Sequence, residues 1–147
     1  MLDRVAIAAL IPHAGRMCLL DQVIHWDEHC IRCSAVSHRD IDNPLREAMG
    51  LSTLAGIEYA AQAAAVHGAL LNGDTIPRRG VLAALKDVTA TQPWLDQTSD
   101  ELIVETTPLH RDPAGGIFAF AVFAGEERIL SGQFTIMYID ASKQAQA

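Results

Sequence analysis

Residues 54–68 read LAGIEYAAQAAAVHG, an alanine-rich apolar run that carries one carboxylate, Glu58, near its start. Ser52 or Thr53 can cap a helix here, no Pro or β-branched cluster interrupts it, and Asn72-Gly73-Asp74 stops it. The pattern predicts one long helix, Thr53 to Leu71. Such a helix is apolar almost all round only if it is enclosed, and Ala60, Ala61, Ala63, Ala64 and Ala65 permit close backbone approach.

The flanking chain supplies strands. MCLLDQVIHW (17–26) and CIRCSAVSH (30–38) read as a hairpin across Asp27-Glu28-His29. RDIDNPLREAMGLS (39–52) reads as a loop, and residues 1–10 as a short helix broken at Pro12. After the long helix come four more strand-like runs, 81–91, 101–111, 117–125 and 128–139, separated by Pro- and Gly-rich turns. Strands grouped on both sides of one helix imply α+β, an antiparallel sheet packed on that helix. With 147 residues the chain has the size of one domain, expected over 1–140, with a C-terminal tail at 141–147.

Glu58 and Gln62 are four residues apart and share one face of the predicted helix, close to Ala55, Ala65 and Ala69. Two readings of that polar line remain open. It is the solvated stripe of the helix, or it is a buried carboxyl. Burial without a partner opposes ionisation, and a carboxyl kept protonated is what a general acid needs.

Composition removes several classes of function. Hydrophobic residues make up 50% of the chain, yet no apolar run approaches the roughly 20 residues that span a membrane. The N-terminal MLDRVAIAALIPH lacks an obvious cleavage site, so a cytoplasmic protein is expected. Net charge is −7 and the basic residues are scattered, which argues against a nucleic-acid partner. Arg78-Arg79 is the sole adjacent basic pair, a small positive spot that an acidic carrier or a phosphate could touch. Cys18, Cys30 and Cys33 are odd in number, and Cys30 and Cys33 in a strand point to opposite faces. They read as ordinary cysteines. No metal or redox cofactor is expected.

The ordered elements Ile11-Pro12-His13, Met17, Leu19-Leu20-Asp21, Gly56-Ile57-Glu58 and Ala61-Gln62-Ala63 resemble the hot-dog-fold 3-hydroxyacyl-ACP dehydratases of the FabA/FabZ type. GVLAALKDVTATQPWL and the final FAFAVFAGEERILSGQFTIMYI fit the same family, so the resemblance covers nearly the whole chain. It implies a long central helix wrapped by a curved antiparallel sheet, and a homodimer or a heterodimer with a related hot-dog subunit. It also implies action on acyl carrier protein or CoA thioesters. In that family a histidine takes the proton next to the thioester and the helix glutamate protonates the departing hydroxyl. Carried over, Glu58 is the acid, the backbone around Thr53 to Gly56 receives the carbonyl and Gln62 orients the acid; the positive spot at Arg78 and Arg79 is then the expected docking charge for the carrier.

One family element is missing. The G-H-F-P-G-x-P loop that carries the family's histidine has no counterpart, and its position falls near Pro44. The divergent ApeP-like branch, with P-H-x-x-x-M-x-L-L-D and G-I-E-x-x-A-Q, is similar to this chain in the same departure. His13 is then the candidate base, while His25, His29, His67 and His110 read as surface or packing residues. Two rivals follow from the missing loop: a hot-dog thioesterase that needs no such base, and a non-catalytic acyl-binding subunit completed by a partner dehydratase.

Overall fold

A computed structural model describes residues 1–13 and 15–139; the tail expected at 141–147 lies outside them. Helix α1 (Arg4–Leu10) starts where the Asp3 carboxylate accepts the Ala6 N–H at 3.0 Å. The long helix forms as predicted. Ser52 Oγ accepts the Leu54 N–H, a 3₁₀ turn over Thr53–Ala55 follows, and α2 runs from Gly56 to Asn72. Gly73 ends it in the left-handed conformation and donates its N–H to the Ala69 carbonyl.

Six strands form one antiparallel sheet: β1 (Gln22–Trp26), β2 (Ile31–Ala35), β3 (Gly80–Ala90), β4 (Leu102–Asp112), β5 (Gly115–Ala124) and β6 (Glu127–Tyr138). Their spatial order is β1-β2-β4-β5-β6-β3. The last four strands match their sequence expectations to within about two residues. The first hairpin is shorter than expected, because Met17 and Leu19 bond elsewhere, although Asp21 still donates its N–H to the Ser34 carbonyl of β2. The Gln62 side chain takes the Leu19 N–H and gives a hydrogen bond to the Met17 carbonyl, and Ser37 Oγ donates to the Leu19 carbonyl at 2.8 Å. Ser37 and His38, read as a strand end, instead form a 3₁₀ turn with Arg39.

This is the expected α+β hot-dog arrangement of one long helix against an antiparallel sheet. Helix α2 packs chiefly on β2, β4 and β5, burying Ile57, Tyr59, Ala60, Ala63, Ala64 and Val66. Tyr59 is held at its hydroxyl by Ser37 Oγ at 2.7 Å and Asn43 Nδ2 at 3.1 Å, so its buried polar end is satisfied. At Gly56 the helix comes so close to β6 that a Cβ would lie 2.7 Å from Leu130 Cδ2. Among the described residues the outer edge of β3 is unpaired, whereas that of β1 is met by Leu2, whose carbonyl accepts the Val23 N–H.

Candidate functional site

Where α2 diverges from the β6 and β3 side of the sheet, a cavity of about 280 Å³ remains. That is close to the roughly 300 Å³ lower bound of common small-molecule pockets. Its helical wall is Glu58, Ala61, Gln62 and Ala65, one continuous stripe at helical spacing. Gly80 and Leu82 from β3 and Ile136 and Tyr138 from β6 form the opposite wall. Pro12 and His13 from the segment after α1 close one side, and Arg78 stands at another.

The open question about the polar stripe is thereby answered: it faces a cavity, and Glu58 is half-buried there. The alanines at 61 and 65 make room that larger side chains would fill. His13 joins Glu58 in the lining, and its Nδ1 is buried with no hydrogen-bond partner among the described residues.

Gln62 is 1% exposed, and its amide is committed on both sides. Its Oε1 accepts from the Leu19 N–H at 2.9 Å while Nε2 donates to the Met17 carbonyl, an assignment the fixed backbone partners leave no freedom to flip. Its amide bonds thus hold the segment just beyond His13 rather than the Glu58 carboxyl. Thr53 and Gly56, by contrast, are not brought to this cavity. Thr53 is fully buried and borders a separate hollow with Ser52, Leu54 and residues 90–93, and Gly56 packs against Leu130 and Val122.

Arg78 and Arg79 part company. Arg78 lines the cavity and lies over the Tyr138 ring, with its guanidinium carbon 3.9 Å from the ring centre. Arg79 is exposed and uses its carbonyl to accept the Ile139 N–H. Pro44, at the position of the missing histidine loop, borders a different hollow with Arg16, Ser37 and Asn43.

The remaining histidines are accounted for by local bonds. His67 Nε2 meets the Asp27 carbonyl at 2.6 Å and His38 Nε2 the Thr98 carbonyl at 3.2 Å, and burial pushes both pKa values down. His110 is exposed and bonded to Asp112. Burial also raises the Cys33 thiol to about 12, which leaves it unreactive near neutral pH. The hairpin places ligand atoms of His25, Asp27 and Cys30 within 4.8 Å of one another, a proximity the linear pattern hides. Asp27 there accepts the His29 and Cys30 N–H groups, and these bonds hold its pKa down at about 2; the carboxylate is organising the turn.

No curated protein matches the chain by sequence. Among solved structures it is similar to the dehydratase heterocomplex ApeI:P from Xenorhabdus doucetiae, at 21% identity over 95% of each chain and a TM-score of 0.82. It is also similar to a mutant of the thioesterase SAV0944 from Staphylococcus aureus, at 14% identity, 81% and 93% coverage of the two chains and a TM-score of 0.58. A third is the HP0420 homologue from Helicobacter felis, at 13% identity, 90% and 87% coverage and a TM-score of 0.60. At these identities the structures speak for the fold. The family model for the ApeP-like dehydratases matches residues 5–147, and with the Glu58 and His13 motifs lying inside that span, the chain belongs to the ApeP-like dehydratase family.

Proposed function

We propose that the chain acts on 3-hydroxyacyl thioesters of an acyl carrier protein as a dehydratase, with Glu58 as acid and His13 as base. The observation that carries the reading is that Glu58 and His13 line one cavity. Membership of the ApeP-like dehydratase family supports dehydration over thioester hydrolysis.

In this reaction neutral His13 takes the proton from the carbon next to the thioester carbonyl. The electron pair of that C–H bond forms the new double bond, the C–O bond at the 3-position breaks, and protonated Glu58 gives its proton to the departing hydroxyl. Water leaves and the enoyl thioester remains. Each proton transfer is of a kind that contributes roughly 10²- to 10⁴-fold. Gln62 is a positioning residue, because it ties the Met17–Leu19 segment to the helix one turn beyond Glu58.

A second hot-dog subunit, this chain or a relative, seats along β3. Its outer edge is unpaired among the described residues, and Val81 and Leu85 expose 47% and 52% of their surface. Such an edge invites strand pairing. The similar ApeI:P dehydratase is a heterocomplex, which supports a partner subunit for this chain.

The deciding experiment is a hydration and dehydration assay with a 3-hydroxyacyl carrier protein, alone and with a related hot-dog subunit. Loss of water by wild type and not by Glu58→Gln or His13→Ala is the expected result. Release of free thiol without loss of water would make the chain a thioesterase, and binding without turnover under both conditions would make it a non-catalytic subunit.

A further inference from the structure

The β1–β2 hairpin holds a set of donor atoms that the thioester chemistry does not use. His25 on β1, Asp27 in the turn and Cys30 just before β2 bring a ring nitrogen, a carboxylate oxygen and a thiol sulfur within 4.8 Å of one another. None of the three lines the cavity beside Glu58. Cys33 takes no part, being buried in the core. Cys30 finds its partners on the other arm of the hairpin, across the turn.

The backbone of the turn fixes this set. Asp27 Oδ1 accepts the His29 N–H at 2.7 Å and the Cys30 N–H at 2.9 Å, and the Asp27 N–H donates to the Cys30 carbonyl at 3.0 Å. The Asp27 carbonyl meets His67 Nε2 at 2.6 Å, which ties the turn to α2. With Oδ1 so occupied, Oδ2 is the oxygen left for a ligand, and it lies 3.1 Å from His25 Nε2. That separation is close to the roughly 3.4 Å between neighbouring ligands of a tetrahedral site with bonds of about 2.1 Å.

A second His-x-Asp pair shows what the cysteine adds. His110 Nε2 and Asp112 Oδ2 are also 3.1 Å apart, and Asp112 Oδ1 accepts the Ala114 N–H, yet no third donor joins them among the described residues. One imidazole, one carboxylate and one thiol make a set suited to Zn²⁺ and similar divalent ions, and unsuited to Ca²⁺ or Mg²⁺, which take oxygen ligands. Burial, and after it the carboxylates of Asp27 and Glu105, raise the pKa of the Cys30 thiol. That negative charge favours a cation, whose own charge turns the thiol into a thiolate ligand. We propose that His25, Asp27 and Cys30 bind a zinc-class divalent cation, with water completing its coordination. Binding forms a metal–sulfur bond and releases the thiol proton to solvent, with no change of oxidation state. The site departs from the sequence expectation of no metal.

The test titrates Co²⁺ into the full, untagged chain after reduction and removal of metal by a chelator. A sulfur-to-cobalt charge-transfer band that saturates at one ion per chain is the expected result. Cys30→Ser should abolish the band. Loss of an outer-shell partner alone costs about 10- to 100-fold in affinity, so His25→Gln, an exposed substitution that leaves the fold intact, should weaken binding by at least about 10-fold. His110→Gln should bind as wild type does. In a parallel measurement, Zn²⁺ should protect Cys30 from a thiol-alkylating reagent, read by peptide mass. No sulfur band in excess Co²⁺, undiminished binding by His25→Gln, an equal loss in His110→Gln, or alkylation of Cys30 unchanged by Zn²⁺ overturns the site.

Discussion

Replacing Gln62 by leucine (Gln62→Leu) keeps most of its volume but leaves the Leu19 N–H and the Met17 carbonyl without their partner. Each stranded buried group costs about 1–3 kcal/mol, so a loss of about 3 kcal/mol in urea unfolding is expected. Glu58→Gln should do the opposite. The carboxylate forms no ion pair among the described residues, so stability should stay within about 0.5 kcal/mol while turnover falls by 10²-fold or more, roughly the contribution of a general acid. Together these two substitutions separate a residue that builds the site from one that acts in it. Expected from the resemblance to orient the acid, Gln62 has its amide bonded to Leu19 and Met17, contacts that spacing along the helix does not disclose.

Among the elements, β6, paired on one side with β5 and on the other with β3, carries part of the wall opposite the helix. Gly115 opens β5 with φ +151°, a conformation closed to other residues, and a Cβ there would overlap the Ile136 carbonyl oxygen. Gly115→Ala is expected to cost at least about 2 kcal/mol, from overpacking and backbone strain together, read as a lower thermal midpoint. Ile136 itself lines the cavity, so the same change should weaken acyl binding. The outer strand β3 is a different kind of element. Its regular pairing with β6 is interrupted between Leu82 and Ala84 and again between Lys86 and Thr89, where Asp87 adopts φ +56°. In the assembly proposed along β3 the half-exposed Leu85 would be covered, and Leu85→Lys should shift that assembly towards monomer in sedimentation velocity.

For the whole molecule, two buried histidines make stability depend on pH. His38 and His67 each bond through Nε2 to a backbone carbonyl, and each has a buried Nδ1 without a partner among the described residues. Protonation would place a charge and an unpaired N–H in the interior, so the folded pKa values lie below 6.5. The unfolded chain then binds protons first. Stability is complete above about pH 6.5 and falls as the pH drops from there towards the lower folded values, by up to about 1.4 kcal/mol per unit for each histidine. Urea midpoints between pH 7.5 and about 5 check this, and His67→Gln should flatten the slope.

The helix, its Ser52 cap, its Gly73 stop and four of the six strands were legible because each depends on neighbours in sequence. The motif order was equally local, and it pointed to Glu58 and His13 before any coordinates. Tertiary structure alone decided whether Glu58 faced water, core or cavity, since that depends on where β3 and β6 lie relative to α2. It also separated Arg78 from its neighbour Arg79 and left Thr53 and Gly56 off the cavity wall. Those placements come from pairings between residues tens of positions apart, and spacing along a chain carries no record of which distant strand will close over a helix face.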